Sequence, residues 1–231
     1  MIPLRDVNPT ERIPIMTLSL IAACVLVFLK ELSLSPAELD AFVNTYGFIP
    51  ARFFSPETGL LDKILPIFTS MFIHGGFFHI AGNMLYLWIF GNNIEDRLGP
   101  LNFLVFYLIC GISAALLQGL ANPSSTTPMI GASGAISGTL GAYLILFPGA
   151  RILTMVIFFY FISFEELPAY LVILVWFIIQ FFNSLGSLAG IETGIAYLAH
   201  LGGFLAGLFL IFIFPKRKRK SLIYPDNYRY F

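Results

Sequence analysis

Residues 131–142 read Gly131-Ala132-Ser133-Gly134-Ala135-Ile136-Ser137-Gly138-Thr139-Leu140-Gly141-Ala142. Ser133, Ser137 and Gly141 recur at i, i+4 and i+8, with Gly134, Gly138 and Ala142 on the adjacent stripe. Small residues at this spacing let two membrane helices approach closely. A second stretch, Ala196-Tyr197-Leu198-Ala199-His200-Leu201-Gly202-Gly203, places His200 ahead of Gly203 and Gly207 on one helical face. Two such faces can pack backbone to backbone and bring a hydroxyl and an imidazole within hydrogen-bond reach, roughly 2.6–3.2 Å. Small-residue stripes also serve packing alone, and a serine among them can be a tolerated polar residue. A histidine inside an apolar helix is harder to explain that way, because its desolvation requires a partner.

The surrounding chain is built for lipid. Of its 231 residues 58% are hydrophobic and 11% charged, with 25 Phe and a mean hydropathy of +0.84. Soluble domains run about 45–50% apolar and about 25% charged, so this composition indicates a polytopic membrane protein. Cys24 and Cys110 both fall in apolar runs and read as small core residues rather than a disulfide or metal pair. The polar segment Met1–Arg12 does not resemble a cleavable signal peptide. All three histidines, His74, His79 and His200, lie in or beside apolar segments, where ionisable groups tend to mark function.

Six segments approach the ~20 residues needed to cross a bilayer core: Pro14–Leu29, His74–Phe90, Leu101–Leu120, Ile130–Phe147, Leu167–Phe182 and Ala196–Phe214. A seventh run, Ile152–Phe164, is too short and suits a surface-lying or re-entrant piece. With six spans, Arg5, Arg12, Arg97, Arg151, the Lys216–Lys220 cluster and Arg229 share one side, and Lys30, Arg52 and Lys63 the other. The excess of basic residues places both termini in the cytoplasm. The expected fold is an all-α membrane protein: a six-transmembrane-helix bundle with a long first external loop, Glu31–Lys63, lying in the interface. The corresponding domain division is a cytoplasmic segment 1–13, a six-span domain 14–214 and a basic cytoplasmic tail 215–231.

In His74-Gly75-Gly76-Phe77-Phe78-His79-Ile80-Ala81-Gly82-Asn83, His79 and Asn83 are four residues apart and project from one helix face. Two neutral donors on one face fit an oxyanion hole; interhelical hydrogen bonding is the other reading. His74 points elsewhere and suits a structural hydrogen bond. Acids are scarce: Glu95 and Asp96 end the second span, and Glu165 and Glu166 precede the fifth. None shares the depth of His200, so a Ser133–His200 dyad is expected rather than a triad. The soluble G-x-S-x-G elbow is also absent, because Ala135 takes its last glycine position.

Taken together, Gly131-Ala132-Ser133-Gly134, His74/His79/Asn83 and Ala199-His200-Leu201-Gly202-Gly203 resemble the rhomboid intramembrane serine proteases, in order and across Pro14–Phe214. The resemblance implies Ser133 as nucleophile, His200 as base, and His79 and Asn83 as oxyanion donors. It also implies that Glu95, in Ile94-Glu95-Asp96-Arg97-Leu98-Gly99, is the structural acid closing the second span. Two positions depart from the pattern. Leu65-Pro66 stands where some members carry Trp-Arg, and Ser137 stands where some carry a tyrosine supporting the histidine ring.

The expected activity is hydrolysis of peptide bonds in or near transmembrane segments, with transmembrane proteins as substrates and the lipid bilayer as setting. No cofactor, metal or nucleic-acid partner is implied, and the oligomeric state is left open. The competing readings are a catalytically weak relative that binds membrane proteins in quality control, and a small transporter using His79, Asn83 and His200 as a path. The expected location is a cell membrane, multi-pass, most naturally a prokaryotic plasma membrane.

Overall fold

The computed structural model describes residues 1–188 and 196–217. A short strand β1 (Ile2–Asp6) precedes α1 (Ile15–Leu32), the first long apolar helix. The connection that follows is largely helical: α2 (Pro36–Tyr46), α3 (Pro50–Phe54) and α4 (Leu60–Thr69), ended by a 3-10 turn at Ser70–Phe72. A capping box opens α2, with Ser35 and Glu38 exchanging hydrogen bonds between side chains and backbone. Phe48 pairs with Met129 in a two-way backbone bridge, and Phe48, Ile67 and Ala115 form a small buried cluster. The connection is therefore fastened to the helices beside it.

The chain then bends by 83° at a break that includes Gly76, whose φ of +152° is open to glycine. The next rod comprises α5 (Phe77–Tyr86), one π-helical turn (Leu87–Gly91) and α6 (Asn92–Leu98). It begins three residues after His74 and extends beyond Phe90, to Leu98. Gly99, at φ +81°, turns the chain into α7 (Pro100–Ala121), with proline at the first helical position. At 22 residues α7 is about 33 Å long, enough for a bilayer core.

Helix α8 (Ser133–Leu146) is the centre of the bundle, since every residue from Gly134 to Tyr143 is buried. A helix apolar and buried all round needs neighbours on every side. It has them in α7 and in α10 (Tyr197–Leu210), with α9 (Ala169–Leu188) packed on α10. The main core gathers Phe90, Phe103, Phe106, Tyr107, Ile136 and Tyr143. Cys24 and Cys110 are buried free thiols within it.

One expectation is corrected: the protein is not all-α. Ile152–Phe164 lies within a β-hairpin, β2 (Arg151–Phe158) and β3 (Phe161–Pro168), and β1 adds to β2 to complete an antiparallel three-stranded sheet of order β1-β2-β3. The turn is Phe159-Tyr160, with Phe159 in the left-handed region at φ 53°. Ile152 and Thr154 are fully buried, while the tip is exposed. Glu165 and Glu166, ahead of the fifth apolar segment, consequently sit in β3. The register between β1 and β2 is irregular between Pro3 and Arg5, where proline lacks an amide to donate.

Among the described residues, α1, α7 and α9 are individually long and apolar enough to cross a membrane. The bent rod of α4 through α6 makes four if counted as one span, and α8 and α10 are shorter apolar helices. Helix α9 runs to Leu188, past the expected span end at Phe182, and residues 189–195, like those beyond 217, lie outside the described residues.

Candidate active site

Ser133 is the first residue of α8, placed there by the backbone before it. Gly131 adopts φ +118°, and its amide donates to the Ser70 carbonyl at 2.8 Å. A side chain at Gly131 would be strained and would meet the His79 ring. Ile136 closes the first helical turn onto the Ala132 carbonyl. The amides that follow Ser133 lie in the first turn, where helices lack internal acceptors and attract negative charge.

His200 faces Ser133 because α10 packs on α8 through glycine. A Cβ at Gly203 would overlap the Gly134 carbonyl, and one at Gly207 would overlap that of Gly138. With the backbones in contact, His200 Nε2 lies 2.8 Å from Ser133 Oγ. The other ring nitrogen, Nδ1, lies 2.8 Å from Gln180 Oε1 on α9. An amide oxygen only accepts, so with Oε1 toward the ring the contact fits the tautomer that carries its proton on Nδ1 and leaves Nε2 to accept from the serine hydroxyl. Trp176 tilts against the imidazole at 6.0 Å between centroids, and Tyr197 meets it edge-on at 6.3 Å.

His79 stands across the same cavity. The Gly75 amide donates to its Nδ1 at 3.2 Å, so Nε2 holds the hydrogen and is a donor beside Gly131. Asn83 lies one turn further along α5, buried, and its Nδ2 has no hydrogen-bond partner among the described residues. A buried amide donor without an acceptor is costly. The cavity itself is about 470 Å³ and is lined by Ser70, Met71, His79, Gly131, Ser133 and His200 among others. Asn83 is not part of that lining, so three of the four expected site residues meet at the cavity and the fourth sits behind His79.

The remaining polar residues are structural. Glu31, expected in a loop, ends α1 as a buried carboxylate and accepts the His74 amide through both oxygens, at 3.2 and 3.3 Å. His74 turns its Nδ1 toward the Phe72 carbonyl and stacks edge-on against His79 at 5.2 Å. Glu95 caps α1, accepting from the Met16 amide at 2.8 Å, the Thr17 amide at 2.7 Å and the Thr17 hydroxyl at 2.8 Å. Ser137 donates to the Ser133 carbonyl at 2.6 Å and does not support the imidazole. That support comes from Trp176 and Tyr197. Among the described residues no group of three His, Cys, Asp or Glu is placed to hold a metal.

Gln180 is the site residue that sequence reasoning missed. The signal was present in the apolar run Leu167–Phe182, where Gln180 is the one amide side chain and stands near the end. A polar group in such a run bonds across helices or marks function.

A family model for the rhomboid domain matches residues 62–217, about two thirds of the chain. The chain belongs to the rhomboid family. Among rhomboid relatives, RHOMBOID-like protein 1 of Arabidopsis thaliana is 30% identical over 214 residues, 89% of this chain and 49% of that protein. Rhomboid protein 1, mitochondrial, of Saccharomyces cerevisiae is 33% identical over 162 residues, 68% of this chain and 44% of its own length. Presenilin-associated rhomboid-like protein, mitochondrial, of Homo sapiens is 29% identical over 162 residues, covering 69% and 40% respectively. The chain spans about half the length of the curated relatives it matches. The matched rhomboid region includes His79, Asn83, Ser133, Gln180 and His200.

Proposed function

We propose that this rhomboid is an intramembrane serine endopeptidase that hydrolyses peptide bonds in or near transmembrane segments. The observation that carries this reading is the 2.8 Å contact of His200 Nε2 with Ser133 Oγ inside a cavity walled by membrane helices. His200 Nε2 takes the hydroxyl proton as Ser133 Oγ attacks the substrate carbonyl, and a tetrahedral intermediate forms. The same proton passes to the leaving amine. Water then attacks the acyl-enzyme, with His200 again as base, and releases Ser133.

The oxyanion needs donors aimed at it before the reaction begins. His79 Nε2–H lies beside Gly131, and the amides of the first α8 turn lie beside Ser133. Asn83 Nδ2, unpartnered among the described residues and one turn beyond His79, lies outside the cavity lining, and in this reading its side chain turns toward the intermediate once substrate is bound.

In this reading the 14–214 region forms the six-span domain, between the short segment 1–13 and the basic tail 215–231. Helix α8 is 14 residues, about 21 Å, against a hydrocarbon core of about 30 Å. With its C-terminal end at the cytoplasmic surface, Ser133 lies roughly 10 Å below the opposite one. That depth exposes it to a helical substrate in the bilayer while leaving water a short route. Arg5 and Arg151 lie in the sheet, and Arg12 and Arg97 lie at the start of α1 and the end of α6 beside it. This basic end of the bundle supports cytoplasmic termini in a multi-pass cell-membrane protein. Substrates are membrane proteins whose helices unwind near small or helix-breaking residues, because a scissile carbonyl must leave its own helical hydrogen bond.

A serine-directed phosphonate tests the assignment. The wild-type chain should gain one covalent adduct on Ser133, found by peptide mass, and His200→Ala should not react. An adduct elsewhere, or equal labelling without His200, contradicts the reading.

A further inference from the structure

His200 is held from two sides by uncharged partners among the described residues, Ser133 on α8 and Gln180 on α9. We propose that Gln180 is a positioning residue that fixes the tautomer of His200. The proposal rests on the reading of His200 as the base for Ser133 and names what keeps it in working form.

A neutral imidazole carries one proton shared between two nitrogens, and only the form with a bare Nε2 can accept from Ser133 Oγ. In soluble serine proteases a buried carboxylate at Nδ1 enforces that form. No carboxylate hydrogen-bonds His200 among the described residues; the acceptor at that position is Gln180 Oε1, at 2.8 Å. A glutamine does the same geometric work without a charge in the bilayer, where an ionised carboxylate is costly. The helix that carries Gln180 is itself held in place. It is anchored at the start, where Ala169 and Tyr170 donate to the Ala150 and Pro148 carbonyls. Trp176, one turn earlier on α9, packs on the same imidazole.

The amide is directional. With Oε1 toward the ring, Nδ1–H is favoured and Nε2 is the base. With the amide reversed, its NH₂ would face Nδ1 and drive the proton to Nε2, leaving Ser133 without an acceptor. When Nε2 takes the serine proton, the imidazolium keeps Nδ1–H pointed at Gln180 Oε1, and that bond strengthens because its donor is now charged.

The test uses the full chain, labelled with ¹⁵N-histidine in detergent micelles. The protein has three histidines, and the His200 signals are assigned by their loss in His200→Ala. The wild type should show a protonated Nδ1 and an unprotonated Nε2. Gln180→Met keeps the length of the side chain and removes the amide, so both tautomers should appear. Its kcat should fall on the order of 10–100-fold, the loss expected for one hydrogen bond to a charged group, with KM unchanged. Gln180→Glu restores an acceptor and should restore both the single tautomer and most of the turnover. Protonation of Nε2 in the wild type, or an unchanged tautomer and kcat in folded Gln180→Met, overturns the proposal. A wild type that holds the Nδ1–H form yet hydrolyses no peptide overturns the protease reading instead and leaves the Gln180 assignment supported.

Discussion

Gly203 on α10 rests directly against the carbonyl of Gly134 on α8, so closely that no side chain fits between them. This contact lies one residue beyond Ser133 and three beyond His200, and it sets the distance between them. Gly203→Ala should push the helices apart, lower thermal stability by about 1–3 kcal/mol, and remove most of the phosphonate labelling of Ser133. Gly149→Ala, where a methyl group meets open space, should change neither. Equal melting and labelling for Gly203→Ala and wild type would show that the backbone contact does not hold the site.

Asn83 is the clearest case for separating catalysis from packing. Its Nδ2 has no partner to lose among the described residues, so Asn83→Ala should melt close to wild type. Turnover should fall roughly 10²–10³-fold, as when one oxyanion donor is removed. His79→Ala should lose both activity and stability, because its Nδ1 also accepts the Gly75 amide and its ring packs on His74. Steady-state hydrolysis and thermal unfolding on the same samples check both.

Glu95 should behave in the opposite way. It holds the start of α1 through three hydrogen bonds, outside the cavity lining. Glu95→Ala should lower stability by about 2–3 kcal/mol, the worth of losing charge-assisted bonds, and leave the rate per folded molecule nearly unchanged. A large fall in rate without a fall in melting temperature would give this acid a catalytic part.

The six-span arrangement is open to a direct chemical test. Single cysteines introduced at Arg5 and Arg151, in a background lacking Cys24 and Cys110, should react with a membrane-impermeant thiol reagent only from the cytoplasmic side. One at Ser124, between α7 and α8, should react only from the other side. Labelling of positions 5 and 124 from the same side would break the topology.

The membrane character and the meeting of Ser133 with His200 are legible in the residues, because small-residue stripes at helical spacing specify a close backbone approach; the central place of the Ser133 helix is shown only by the fold. The sheet is not legible either. In β2 apolar residues fall on both faces, with Ile152 and Val156 on one side and Leu153, Met155 and Ile157 on the other, so no clean alternation marks a strand. The turn Phe159-Tyr160 also lacks the glycine or asparagine that usually announces a hairpin. β1 carries a proline and pairs with a strand roughly 150 residues away, a partnership no local pattern can show. It is held by Asp6, whose carboxylate accepts from Tyr143 Oη at 2.7 Å at the far end of the Ser133 helix.

The site was legible to the extent that its residues bear chemistry in unusual places. Glu31, where the expected external connection begins, ends α1 instead, and the His74 amide is what makes its burial tolerable. Gln180, Trp176 and Tyr197 carry no such mark in the sequence. An amide and two aromatic rings are ordinary in membrane helices, and only the fold shows that α9 and α10 aim them at one imidazole.

In the proposed mechanism Ser133 and His200 act as a unit on a peptide bond within the membrane. The most direct measurement is hydrolysis of a transmembrane model substrate by the purified chain in liposomes, comparing wild type, Ser133→Ala, His200→Ala and the double variant. Only the wild type should cleave, with each single variant melting near wild type and the double variant no less active than either single one. Substantial cleavage by folded Ser133→Ala would contradict the mechanism.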